Sequence, residues 1–294
     1  MDGLAGFLDA IDLEDTGGRQ EAGDLGEAGA LRYRGRNIGE GHGVIFGGQL
    51  LAQAVVAAAR SVPAKSVKSI HTIFARGGSA DQAVEIDVDP MHAGRAFASV
   101  TVSIRQGERL CARALVLLDA PDADLIRHGA PMPEVPGPDG TPRRTEGGWW
   151  EIGVVDGVDI ADPDAVGPAE LAVWTRFPVA PADLTTSQAL LAYASDGFLI
   201  GTAMRPHPGV GQSLAHVSIS TSVISHTLTF HEPFSAADWL LLVHESPYAG
   251  RGRSYGRAHV YAPDGRLVAS FVQESMIRGF PEGQAPAAGE RARH

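Results

Sequence analysis

The sequence predicts an α+β fold of two tandem units, each a central helix wrapped by a curved antiparallel sheet, the two sheets joining into one. Three observations carry this prediction. A strand-forming unit occurs twice, as RAFASVTVSIRQGERLCA from Arg95 and RSYGRAHVYAPDGRLVAS from Arg253; the arginines, and the turn glycines Gly107 and Gly265, are each 158 positions apart. Upstream, Ile70-His71-Thr72-Ile73 is echoed by Ser225-His226-Thr227-Leu228, with 155 positions between the two histidines. Each copy also follows an apolar helical stretch, GGQLLAQAVVAAA from Gly47 and SQALLAYASDGFLI from Ser187. Two long units point to a duplicated domain, since a solenoid needs more and shorter repeats.

The elements follow in chain order. Residues 1–40 read as a leader of mixed acidic and glycine content, in which LAGFLDAIDLE has the pattern of a short amphipathic helix. The first unit covers 41–120. Its helix opens at Gly47-Gly48, presents Leu50, Leu51, Ala54, Val55 and Ala58 on a broad apolar face, and ends before Pro63. Strands are expected at 67–74, 83–89, 96–105 and 110–118, the last two joined by a hairpin in which Gly107 supplies positive φ. Residues 121–148 are rich in Pro and Gly without period and read as a surface linker. The second unit covers 149–279, with strands at 149–154, 170–176, 216–230, 239–246, 253–261 and 267–276 and a tight turn at Ala262-Pro263-Asp264-Gly265. Residues 280–294 are expected to be a flexible tail. A helix as apolar as LLAQAVVAAA needs cover on most sides, and one curled sheet supplies it. That arrangement is the hot-dog fold, here doubled.

Composition narrows the function. A chain of 294 residues, 44% hydrophobic and 20% charged, can bury two modest cores. No apolar run reaches transmembrane length, so no membrane partner is expected, and the acidic N-terminus has no basic region of the kind that starts a secretory signal. The single cysteine, Cys111, rules out an intrachain disulfide, lies in an apolar strand as a buried inert thiol, and fits a cytoplasmic location. A net charge of −11 argues against nucleic acid. Against that acidic background Arg251, Arg253 and Arg257 cluster, and Arg76 and Arg95 stand near glycines. They read either as a patch that holds phosphates or as a solvated strand edge. His71, His226 and His231 lie on separate strands without metal-ligand spacing, so they read as structural or substrate-lining groups; no metal and no cofactor is expected. Gly47-Gly48 lacks the Lys-Ser/Thr of a phosphate loop and reads as a place of close backbone approach.

Several short strings then fall in a telling order: Phe46-Gly47-Gly48-Gln49, Ser69-Ile70-His71 through Arg76-Gly77, Tyr193-Ala194-Ser195-Asp196, His226 with Phe230-His231 and Pro233-Phe234, and Val272-Gln273-Glu274. In this order and spacing the chain resembles the type II acyl-CoA thioesterases, the TesB-like proteins, from about Gly43 to Arg278. The resemblance implies hydrolysis of acyl-CoA to free acid and CoA, and allows a homo-oligomer, dimer or tetramer. It also implies a catalytic set of an Asp in the second helix, a Thr or Ser in the strand before H-x-x-x-F-H, and the Gln of VQE. Carried over, these are Asp196, Gln273 and a hydroxyl position that falls on Val223. Strand alternation makes Ser225 the nearest hydroxyl on the face of Val223, while a bulge could bring in Ser222. Beside that set, Gly47 and Gly48 as a place of close approach, His71 as a lining residue, and Arg76, Arg251 and Arg253 as phosphate holders are the substrate-binding candidates.

No G-x-S-x-G elbow is present, so direct attack by water suits the chain better than an acyl-enzyme. Asp196, inside an apolar helix, is expected to have a raised pKa and to act as base; the Gln273 amide would fix the same water. Oxyanion donors are expected among backbone N–H groups at a central-helix N-terminus. Two other readings stand beside hydrolysis: a hot-dog protein that binds acyl-CoA without turnover, and an enoyl-CoA hydratase, whose D-x-N-P-x-H-like motif is missing here.

Overall fold

The computed structural model describes residues 3–17, 30–38 and 43–280. The expected tail beyond Phe280 and part of the leader lie outside the described residues. Among the described residues, thirteen strands form one sheet: β1 (Glu14–Gly17), β2 (Leu31–Gly35), β3 (Ser66–Phe74), β4 (Val84–Ala93), β5 (Phe97–Gln106), β6 (Arg109–Asp119), β7 (Arg143–Glu146), β8 (Trp150–Val154), β9 (Glu170–Arg176), β10 (Ile219–Phe230), β11 (Leu240–Gly250), β12 (Arg253–Tyr261) and β13 (Leu267–Gly279). Four helices accompany it: α1 (Leu4–Ile11), α2 (Gly47–Ser61), α3 (Leu184–Ser195) and α4 (Leu199–Met204).

Strand order shows the duplication directly. The sheet runs β1-β2-β4-β5-β6-β3-β10-β13-β12-β11-β9-β8-β7, so each half repeats one order outward from a central antiparallel pair, β3 against β10. The hairpin repeat holds in space: β5–β6 and β12–β13 occupy equivalent places, and both turn glycines have positive φ, 58° at Gly107 and 86° at Gly265. The histidine echo does not hold. His226 pairs with Thr72, and His71 pairs with Thr227, so the two histidines face opposite sides of the sheet.

Burial follows the alternation. Val84, Ile86 and Val88, then Ala98, Val100, Val102 and Ile104, then Ala112, Ala114, Val116 and Leu118 all point inward onto α2. That helix is buried continuously from Gly48 to Ala59, which is why it is apolar apart from Gln49 and Gln53, whose amides are hydrogen-bonded. The equivalent cover in the second half comes from Leu171, Val173, Leu240, Leu242, Ala258, Val260 and Phe271, on the strands that pack against α4. The two central helices also pack against each other, merging the two cores into one.

Two regions expected to lack strands contribute to the sheet. β2, in the leader, pairs with β4 and buries Tyr33. β7, in the Pro- and Gly-rich segment, pairs with β8 and forms the edge of the sheet, while the preceding chain holds to the sheet through Trp174 Nε1, which donates to the Pro136 carbonyl at 2.8 Å. Composition reports the flexibility of an isolated segment, not the open strand edge that recruits it. Among the described residues, no helix is long and apolar enough to cross a membrane.

Candidate active site

Asp196 stands at the C-terminal cap of α3, where the helix stops before Gly197 and restarts as α4. Its carboxylate reaches the amino end of α2, in the other half of the chain, and accepts a hydrogen bond from the Gly48 N–H. Phe46, the N-cap of α2, makes no side-chain cap bond, so Asp196 takes that place from a different helix. Glycine permits the approach. A Cβ on Gly48 would lie 2.4 Å from the Tyr193 carbonyl oxygen, and one on Gly47 would lie 2.6 Å from Asp196 Oδ2. Asp196 is 8% exposed, and its Oδ1 has no hydrogen-bond partner among the described residues. Burial pushes its pKa up to about 7, against a smaller lowering by the Gly48 amide.

Below this junction lies a row of inward-facing residues. His226 on β10 pairs with Gln273 on β13, which pairs with Gly256 on β12. Two contacts set the helix junction over this row: Ser195 Oγ meets His226 Nε2 at 3.0 Å, and the Leu199 side chain rests where a Cβ on Gly256 would be. His226 Nδ1 meets Gln273 Oε1 at 3.3 Å, and Gln273 Nε2 donates to Ser275 Oγ at 3.0 Å. A chain of polar side chains thus runs from the residue beside Asp196 through His226 to Gln273 and Ser275. Burial lowers the His226 pKa to about 4, with a smaller opposing effect of its bond to Gln273, so the ring is neutral near pH 7. In that form Nδ1–H donates to Gln273 Oε1, which fixes the amide's orientation.

The other candidate residues are distributed differently. β10 carries a bulge between Val223 and Ser225, where the pairing passes from Val223↔Ser275 to Ser225↔Glu274 with Ile224 as the extra residue. The bulge resets the alternation. Val223 faces inward with His226, whereas Ser225 faces the outer side and donates to Glu274 Oε2 at 2.9 Å. Ser222 is exposed on that outer side as well. The expectation of a Ser225 or Ser222 hydroxyl beside Gln273 is therefore corrected, because uninterrupted alternation does not hold across the bulge. His71 is also on the outer face, its Nδ1 2.7 Å from Thr227 Oγ1, and does not meet Asp196.

Arg76 follows the end of β3, Arg251 belongs with Gly252 to the two-residue β11–β12 turn, where both have positive φ, 56° and 71°, and Arg253 opens β12. All three are exposed, and among the described residues none forms an ion pair. They lie at one end of the sheet, beyond Phe74 on β3 and beside Met276 on β13. Arg257, by contrast, is paired with Glu245. Cys111 is buried, and burial pushes its thiol pKa up. Among the described residues, no cluster of His, Cys, Asp and Glu could hold a metal. Sequence reasoning missed Ser195, His226 as an interior link, and Ser275. Only their contact across α3, β10 and β13 marks them.

One continuous sheet around two facing helices, with a buried carboxylate where the end of one meets the start of the other, defines the double hot-dog class. Comparison with known proteins gives the family. Residues 37–118 match the model described as the acyl-CoA thioesterase N-terminal domain, and residues 130–277 match the C-terminal domain. The chain belongs to the TesB-like type II acyl-CoA thioesterases; it is a hydrolase of acyl-CoA thioesters. It is 27% identical to acyl-CoA thioesterase 2 of Haemophilus influenzae, over 84% of this chain and 92% of that protein. It is 28% identical to acyl-coenzyme A thioesterase 8 of Mus musculus, over 81% of each. Among solved structures, the acyl-CoA thioesterase II TesB2 of Mycobacterium marinum superposes with a TM-score of 0.75 at 27% identity, over 95% of this chain and 99% of that one.

Proposed function

We propose that Asp196 is the general base for direct attack of water on the acyl-CoA carbonyl, with Gln273 orienting that water. The observation that carries this reading is the Asp196 carboxylate itself: buried, with one oxygen unpartnered and a pKa of about 7. A base poised there is half ionised at neutral pH and still accepts a proton readily.

In this mechanism the water oxygen forms a bond to the carbonyl carbon and gives one proton to Asp196. The carbonyl π pair becomes an oxyanion at the amino end of α2. There the Gly48 N–H is already bound to Asp196 and the Gln49 N–H to the Phe46 carbonyl, which leaves the Gly47 N–H as the donor. Collapse breaks the C–S bond, the CoA thiolate takes the proton from Asp196, and free acid is released. The base is then regenerated. Arg76, Arg251 and Arg253, which form no ion pair among the described residues, would hold the phosphates of CoA from one end of the sheet. We place the reaction in the cytoplasm, in fatty acyl metabolism, where the lone Cys111 thiol stays reduced.

Thiol release from a panel of acyl-CoA esters tests the reading. Asp196→Asn should lower kcat by about 10²–10⁴-fold in a folded protein. Wild-type kcat in that variant would overturn the assignment. Acyl-CoA-dependent thermal stabilisation without thiol release by the wild-type chain would point instead to a binder.

A further inference from the structure

We infer that Ser275 supplies a hydroxyl to the hydrolytic water, so that the site takes its O–H from β13 where the facing strand offers only Val223. This inference rests on the reading of Asp196 and Gln273 given above.

Register locates the residue. Ser275 pairs with Val223 on one side and with Ser254 on the other, one inward step along the strand from the row of His226, Gln273 and Gly256. On β3, Phe74 is one inward step beyond Thr72, the residue that pairs with His226. The Phe74 ring lies 3.4 Å from the Cβ position of Gly47, and that same position is 2.6 Å from Asp196 Oδ2. The Asp196 carboxylate is therefore set over the Phe74–Val223–Ser275 step of the sheet. Ser275 is 1% exposed, so its hydroxyl cannot be accounted for by bulk solvent.

Hydrogen-bond capacity gives the role. Gln273 Nε2 donates to Ser275 Oγ, so that oxygen is used as an acceptor and its own proton remains to be given. Gln273 Oε1 takes one bond from His226 and has a second lone pair. Asp196 Oδ1 has no partner among the described residues. A water among these groups donates one proton to Asp196 and one to Gln273 Oε1, and accepts from the Ser275 O–H. One lone pair is left for the carbonyl carbon. Val223 cannot supply the third contact, but threonine has valine's shape and can. Position 223 thus provides a rescue site on the facing strand.

The experiment is a double-mutant cycle of Ser275→Ala and Val223→Thr on the purified full chain, read as kcat and KM for its best acyl-CoA, with Asp196→Asn alongside. Loss of one neutral hydrogen bond, about 1 kcal/mol, predicts that Ser275→Ala lowers kcat about fivefold to tenfold with KM unchanged. Val223→Thr should restore most of that loss in the Ser275→Ala background, and raise kcat less in the wild-type background. Ser275→Gly serves as a second deletion should the alanine variant unfold. Wild-type kcat in the Ser275 deletions, with Asp196→Asn inactive, overturns the inference and leaves the base assignment standing. A loss that Val223→Thr does not restore also overturns it, because Ser275 would then act only through Gln273. Wild-type kcat in Asp196→Asn brings down the underlying reading instead.

Discussion

A Cβ placed on Gly47 would lie 2.6 Å from Asp196 Oδ2, although the two residues belong to central helices from different halves of the chain. The carboxylate and the helix end it meets are thus built by the contact between the duplicated units, and neither half holds the site alone.

The two glycines at this contact should respond differently to alanine. At Gly48 the obstacle is the Tyr193 carbonyl, a backbone atom that cannot turn aside, so Gly48→Ala should cost about 1–3 kcal/mol in urea unfolding. At Gly47 the obstacle is the end of the Asp196 side chain, which can rotate away. Gly47→Ala should keep near-wild-type stability and lose at least tenfold in kcat. A fully active Gly47→Ala would show that the carboxylate position is not required.

Activity should depend on pH through Asp196. The base must be ionised, and burial places its pKa at about 7. We therefore expect kcat/KM to rise about tenfold per pH unit on the acid side and to level off above about pH 7. A pH–rate profile flat from pH 5 to 8 would contradict a base with this pKa.

Stability should move the opposite way at this residue. Asp196 holds its proton more tightly when folded, so its favourable contribution is complete below the ordinary carboxylate pKa and is lost as pH rises through about 7. Asparagine has no charge to bury and can still accept from Gly48. Asp196→Asn should then be more stable than wild type at pH 8, by at most about 4 kcal/mol for a pKa raised from 3.8 to about 7, with the difference shrinking towards pH 4. Urea unfolding at both pH values measures this.

His226 and His244 should limit stability in acid. Burial lowers both pKa values to about 4, so the stability they confer is present above about pH 6.5 and is lost as pH falls through 4. His226→Ala should also free Gln273 Oε1 and Ser195 from their shared partner. Its expected signature is a lower kcat with little change in KM, and a shallower acid slope of stability than wild type.

The arginines at the sheet end predict a split between substrates. Arg251→Ala with Arg253→Ala should raise KM for acyl-CoA severalfold and make it less salt-dependent. kcat/KM for a short acyl thioester without phosphates should stay unchanged. An equal loss on both substrates would mean that these side chains support the fold and do not bind phosphate.

The amino-acid sequence by itself determined the duplicated unit, the buried helix from Gly47 and the hairpins at Gly107 and Gly265, while Asp196 and Gln273 became candidates through the short strings that resemble the family. These are local signals, set by side-chain period, by turn glycines and by short strings of residues. What lay beyond its reach was every relation that depends on register or on a meeting of distant segments. One extra residue at the β10 bulge turns Ser225 outward and Val223 inward, and periodicity carries no sign of it. His71 and His226, alike in sequence, face opposite sides because antiparallel pairing sets His71 beside Thr227 and His226 beside Thr72. Ser195 and Ser275 gain their place through contacts between elements 31 residues apart or across neighbouring strands, which only the folded sheet brings together.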